Sequence, residues 1–448
     1  MALQLIVQPC EGPLRGSVPA PSDAMALSVA LGVAALCEGK SRLKCRGVPE
    51  AARALAGALR TLGVEVTEEP EALVVVAKGL AALTKPADAL DARGMPIAAF
   101  VLAGLVAGEP FESTLLADDF VADEIVAVFS GGRSVAQSDA PGGGRAVHFD
   151  ATAEDERFAG ARVHLAGARP GAKVAALLAG LRAGSTTVVH ESIASPDHCE
   201  RLLSRLRMPV RSSATTLELH PPRDANALTS FEFPELGDFS ASAYLLAASV
   251  LVPESHVTLR GVGLNPTRVA LLDGLRSLGA RTGTSPQGDA LGEPIGELTA
   301  FGSDIVGGVV GGEVGVRLGD DFVPAAIVGA RARGTVEISD VLSGGGVWAS
   351  ASGVGRDVAR LVGILRAFGV EASPTSAGLV IQGTAGRRLA ASRVTTGGDH
   401  RLALAATVLA LAGDGPSVID DVECISRFFP RFVGSLRALG ARIEVRTE

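Results

Sequence analysis

GDFSASAYLLAASVLVPESHVTLRGVGLNPTRVALLDGLRSLGA, from Gly237 to Ala280, is the stretch that organises the rest of the chain. It begins as an apolar helix rich in Ala, Leu and Val, breaks near Pro253, and continues as a short β-branched strand. A second helix follows in GLRSLGA, with Leu275 and Leu278 on one face, and stops at Gly279 before another strand begins. Glycine suits that stop because a helix C-terminus takes a left-handed conformation that costs other residues energy.

The same units recur in both directions along the sequence. The apolar helix, break and strand return as AALCEGKSRLKCRGV from Ala34, AGLVAGEPFESTLLADD from Ala103 and LAGLRAGSTTVVHES from Leu178. Two further copies are VGARARGTVEISDV from Val328 and LALAGDGPSVIDDV from Leu409. The helix that stops at glycine returns as ALRTLGVEV ending at Val66, ILRAFGVEA at Ala372 and SLRALGARI at Ile443. ERLLSRLRMPV near Pro209 reads as a worn copy, with Met-Pro in place of the glycine. Six copies spaced by roughly 70–80 residues are too long for the common solenoids and predict two α/β domains of three units each.

The order of segments resembles one family, that of 5-enolpyruvylshikimate-3-phosphate synthase. The resemblance is carried by Asn265-Pro266-Thr267-Arg268, by Asp399-His400-Arg401 before an Ala/Leu helix, and by IDDVECISRFFPRFVGSLRALGA from Ile419. SPDHCERLL from Ser195 resembles the family's Ser-x-Asp-His segment. It implies an α/β fold of two domains, the enolpyruvyl transferase fold or inside-out α/β barrel, with three βαβαββ units per domain. The N-terminal domain is expected over residues 21–236, and the C-terminal domain over 1–20 plus 237–448. The chain is expected to cross twice between them, and the family's domains close on substrate by a hinge. Helix N-termini are expected at the substrate cleft, where their partial positive charge favours anions.

Composition narrows the partners. A net charge of −8 argues against nucleic acid and acidic membranes, and only 4% of residues are aromatic, too few for base-stacking platforms. Five scattered cysteines without metal spacing read as reduced cytoplasmic thiols, so neither a metal nor a cofactor is expected. MALQLIVQPCEG lacks the pattern of a secretory signal, and no apolar stretch reaches the ~18–20 residues of a membrane span. The expected ligand is a small anionic molecule. The sequence sets no oligomeric state.

The family joins phosphoenolpyruvate to a hydroxyl of shikimate 3-phosphate, which demands a dense set of cations and an acid/base pair. This chain has five lysines, none before Lys40 and none after Lys173. The first family lysine falls on Ala24, and a phosphate-binding arginine on Val29. The Asn-x-Gly-Thr element becomes Gly94-Met95-Pro96-Ile97, and Phe120 lies near the position of an arginine that binds phosphoenolpyruvate. The Ser-Ser/Ala-Gln cradle becomes Arg169-Pro170-Gly171, and the Lys-Glu-x-x-Arg helix start becomes Gly353-Val354-Gly355-Arg356-Asp357. Removing one preorganised group typically costs ~10²–10³ in rate, so ordinary synthase activity is not expected.

By resemblance, Asp321 is the catalytic aspartate, while Arg401, Arg427, Ser195 and Lys173 are substrate-binding. Trp348, the only tryptophan, is a candidate lining residue in the glycine-rich run Ser343–Gly355, and Asp399 and His400 are supporting residues. Each has a plain structural alternative. Asp321 and Ser195 suit helix capping, His400 a buried backbone-bonding ring, Arg401 a salt bridge to Asp399, and Arg427 a surface charge. His198-Cys199 has no third member for nucleophilic chemistry. Three functions follow: a diverged enzyme on a shikimate-type cyclic hydroxy acid, with elimination as one chemistry; a pseudoenzyme; or a synthase with an unusual site.

Overall fold

Six apolar helices set the architecture. They are α1 (Ala24–Ala34), α2 (Pro96–Val106), α3 (Pro170–Gly180), α4 (Phe239–Leu251), α5 (Phe322–Gly329) and α6 (His400–Leu411). Every residue of α2, α3 and α5 is buried, as expected of helices that are hydrophobic all round. The computed structural model describes residues 3–107, 109–130, 135–151, 162–213, 215–224, 227–341 and 354–447, with 354–356 as backbone alone.

The chain divides into two units. Unit 1 comprises Met1–Pro21, Gly237–Gly288 and Pro294–Glu448, and unit 2 comprises Ser22–Leu236 with Asp289–Glu293. In unit 2, α1, α2 and α3 pack against one another, and in unit 1, α4, α5 and α6 do the same. Small residues permit this closeness. A Cβ on Gly104 of α2 would come within 2.7 Å of the Ala175 carbonyl oxygen in α3. Amphipathic helices such as Glu50–Thr61 and Ala270–Ser277 bury one leucine-lined face only.

Six four-stranded sheets complete the units, and no closed barrel forms among the described residues. One shows the plan of all. Leu90–Asp91 and Ser113–Ala117 pair in parallel, with α2 as the crossover that parallel pairing requires. Helix Asp119–Phe129 then leads to Val135–Asp139 and Arg145–Phe149, which complete the sheet in antiparallel fashion. This is the βαβαββ unit that the resemblance implied. Three sheets borrow a strand from far along the chain. Leu3–Val7 lies between Ser417–Asp420 and Ile443–Thr447, Arg15–Pro19 pairs with His256–Gly263, and Glu232–Phe233 pairs with Glu38–Lys44.

Candidate active site

The three inner helices of unit 1 each begin at an aspartate. Asp238 caps α4 by accepting from the Ala241 N–H at 3.1 Å, and Asp399 caps α6 by accepting from the Arg401 N–H at 2.9 Å. Asp321 precedes α5 but its carboxylate makes no capping bond. It is buried, at 5% exposure, and is hydrogen-bonded with Ser240 instead. Arg268, from the Asn-Pro-Thr-Arg turn, donates to Ser240 Oγ at 3.0 Å and lies 3.5 Å from Asp238. That turn is fixed by Asn265 Oδ1, which accepts from the Thr267 N–H at 2.9 Å. Burial raises the Asp321 pKa to about 7, against the opposing pull of Arg268 and the Ser240 hydrogen bond.

Arg401 is enclosed by acid. Its guanidinium lies 3.3 Å from Asp320, 3.1 Å from Asp357 and 3.0 Å from Asp399, and the side chain is 14% exposed. Burial works against its charge, but these carboxylates outweigh burial and hold the guanidinium firmly protonated. Burial lifts Asp320 to about 6 although Arg401 restrains it. Arg360 adds a second cation to Asp399 at 3.1 Å. Among the described residues the cluster therefore holds five carboxylates, Asp238, Asp320, Asp321, Asp357 and Asp399, against the three guanidiniums of Arg268, Arg360 and Arg401.

Two further rings complete this end of unit 1. His400, at the first turn of α6, stacks obliquely on Phe428 with 4.4 Å between ring centroids. Burial and the Arg401 charge push its pKa down to about 4, so the imidazole is neutral at pH 7. Tyr244 is the only tyrosine of the chain, and burial in α4 raises its pKa well above the usual phenol value.

In unit 2, Lys173 is internally committed. Lys173 Nζ lies 3.1 Å from Glu191, 2.7 Å from Glu200 and 3.1 Å from the Ser195 carbonyl oxygen. An ammonium has three N–H donors, and these three partners account for all of them. Burial lowers its pKa, yet Glu200 and Glu191 outweigh burial and hold it above the ordinary lysine value. Ser195 donates its hydroxyl to Glu191 and is not the residue at the cap of helix His198–Arg205, where Asp197 stands. His198 pairs with Glu293 at 2.8 Å, away from any nucleophilic role for Cys199, whose thiol burial drives far upward.

Arg169, at the start of α3, lies over the Phe120 ring at 5.6 Å from its centroid and pairs with Glu124 at 2.7 Å. A guanidinium from another segment thus lies beside Phe120, and it carries its own counter-ion in Glu124. Burial lifts Glu124 to about 7 although Arg169 restrains it. Arg427 is exposed in the last turn of helix Glu423–Phe428. Trp348 and the Arg356 side chain lie outside the described residues. Among the described residues, no group of three or more His, Cys, Asp or Glu side chains is disposed to hold a metal.

The structure thus brings together Asp321, Asp399, His400 and Arg401, and separately Ser195 and Lys173. Ser240, Arg268, Asp320 and Asp357 join the first group without having been expected as site residues, although Arg268 and Asp357 stand in motifs read from the sequence. The signal for two of them was at hand, since Ser240 and Arg268 lie within the Gly237–Ala280 stretch.

Comparison with known proteins agrees with this architecture. The family profile of EPSP synthase (3-phosphoshikimate 1-carboxyvinyltransferase) matches residues 10–436. The 3-phosphoshikimate 1-carboxyvinyltransferase of Syntrophotalea carbinolica is 30% identical over 422 residues, covering 94% of this chain and 95% of that protein. That of Desulforamulus reducens is 30% identical over 438 residues, covering 97% and 99%. Among solved structures, EPSP synthase from Acinetobacter baumannii has a TM-score of 0.82 at 23% identity, covering 99% of this chain and 100% of that one. The enolpyruvyl transferase NikO from Streptomyces tendae has a TM-score of 0.74 at 17% identity, covering 100% and 99%. At those identities the two structures speak for the fold alone.

Proposed function

Because the chain belongs to the EPSP synthase family, we propose that it is a diverged member acting by proton transfer on a shikimate-type or related cyclic hydroxy acid, and not an efficient synthase. The observation that carries this reading is the pairing of a buried Asp321, with a pKa of about 7, and an Arg401 closed within three carboxylates. A carboxyl group near neutrality can take or give a proton at working pH. An arginine already neutralised by Asp320, Asp357 and Asp399 offers little to a multiply charged substrate.

Coupling of phosphoenolpyruvate to shikimate 3-phosphate brings two phosphates and two carboxylates together. Among the described residues, five carboxylates against three guanidiniums make this end of unit 1 a poor place for that load. A ring with fewer anionic groups suits it better. In an elimination, Asp321 would take the proton from carbon, the C–H electron pair would form the double bond, and the C–O bond to the leaving group would break. The leaving oxygen would then be protonated from solvent or from the aspartic acid just formed. No cofactor is required. Five free thiols accord with a cytoplasmic setting for such an enzyme.

A second reading, a pseudoenzyme that binds a ligand or partner without turnover, is favoured by the commitment of Lys173 and Ser195 to Glu191 and Glu200. The near-full-length relatives favour the synthase itself. Incubation of wild type and Asp321→Asn with a panel of shikimate derivatives, singly and with phosphoenolpyruvate, separates the three. Product from a single derivative, abolished in Asp321→Asn, supports the proposal. Silence across the panel supports the pseudoenzyme, and phosphate release that requires both substrates restores the synthase.

A further inference from the structure

A cavity of about 570 Å³ lies in unit 1 at the end of its inner helices opposite the carboxylate cluster. It is lined at one side by Val250 and Leu251, the last turn of α4, whereas the carboxylate cluster begins at Asp238 before the first turn. A 13-residue helix is roughly 20 Å long, so the two places are distinct. The cavity wall carries three arginines, Arg281, Arg331 and Arg333, and two carboxylates, Glu254 and Asp304.

A comparison between the two units shows what is missing there. Arg182 follows α3 as Arg331 follows α5, within the repeat copies LAGLRAGS and VGARARGT. Each donates to carbonyl oxygens of a neighbouring inner helix, Arg182 to Gly104 and Leu105 of α2 and Arg331 to Leu251 of α4. Each also leaves its Nε buried and without a partner. The difference lies in the counter-ion. Arg182 is paired with the buried Glu109, while Arg331 forms no ion pair among the described residues. Glu254 is exposed and, among the described residues, pairs with no arginine, while Asp304 pairs with the exposed Arg333 at 3.5 Å. Burial lowers the Arg331 pKa, the nearby Arg388 lowers it further, and Asp304 partly offsets the two.

Arg281 extends the positive wall. Its guanidinium lies over the Phe301 ring at 5.6 Å from the centroid and donates to the Gly302 carbonyl at 2.6 Å. Arg281 and Arg331 spend part of their donors on the carbonyls of Gly302, Leu251 and Gly386 and form no ion pair among the described residues, so an incoming oxyanion meets their guanidiniums and competes only with Asp304, which pairs with the exposed Arg333. We propose that the cavity bounded by Arg281, Arg331 and Arg333 binds a phosphate group, free or carried on a small molecule, at a site separate from the carboxylate cluster. The proposal does not depend on the reaction assigned to Asp321.

The test is calorimetric titration of the full chain with pyrophosphate at fixed ionic strength, with inorganic phosphate and citrate as parallel probes. The expected result is one saturable pyrophosphate site per chain, with citrate weaker. Arg281→Ser and Arg333→Glu, both at exposed positions, are each expected to weaken binding by about tenfold or more, with thermal unfolding as the check on folding. Asp321→Asn is expected to bind as wild type. Absence of saturable binding, a preference for citrate, retention of wild-type affinity in both arginine variants, or loss in Asp321→Asn overturns the proposal.

Discussion

Asp357 lies 3.1 Å from Arg401, and the resemblance read in the sequence aligns it with the arginine of the Lys-Glu-x-x-Arg helix start. Where that motif supplies a cation, this chain supplies an anion to Arg401. The consequence is an arginine whose charge is spent within the protein.

Replacing Asp357 by Asn removes one of the three carboxylates and keeps the shape. Phosphoenolpyruvate and other small anions are then expected to bind about tenfold more tightly, the effect of one charge-assisted contact restored. Fluorescence or calorimetric titration reads this directly. Unchanged anion affinity would show that Arg401 is shut off by something other than charge.

Asp321 and His400 make opposite contributions to the pH dependence of stability. Asp321 has a folded pKa of about 7 against an unfolded value near 4, so the folded state holds the extra proton. Its contribution is present at low pH and is lost as pH rises from ~4 through ~7. His400, depressed to about 4, contributes stability above its unfolded value near 6.5, and that is lost as pH falls towards 4. Asp321→Asn is therefore expected to gain stability relative to wild type on going from pH 4 to pH 7, by on the order of 2–4 kcal/mol. Urea unfolding at both pH values checks it, and a parallel pH course for the two proteins would contradict it.

Lys173→Met is expected to destabilise the fold by about 3–5 kcal/mol, because Glu191 and Glu200 would be left buried without their cation. A triple change of Lys173→Met with Glu191→Gln and Glu200→Gln is expected to recover much of that loss. If Lys173→Met unfolds like wild type, the lysine is not the internal counter-ion described.

The repeat was legible because two of its signals are local: Gly279 and Gly369 stop helices in left-handed conformations at φ +89° and φ +76°, and the inner helices are apolar on all sides. Strand borrowing was not, since nothing in Leu3–Val7 alone tells that it inserts between Ser417–Asp420 and Ile443–Thr447. At the site, Asp321 and the Asp399-His400-Arg401 triplet stood out by motif. The enclosure of Arg401 did not, because Asp320 and Asp357 reach it from segments 81 and 44 residues away, positions that only the packing of helix ends brings together. Likewise the capping alternatives for Asp321 and Ser195 were natural in sequence, yet both side chains turn to other partners.

The most direct test of the central claim is calorimetric titration of the wild-type protein with shikimate, shikimate 3-phosphate and phosphoenolpyruvate, each alone and in pairs. The account predicts that shikimate binds without phosphoenolpyruvate and that phosphoenolpyruvate binds weakly or not at all. Tight phosphoenolpyruvate binding that depends on shikimate 3-phosphate would contradict it and return the protein to the ordinary synthase reaction.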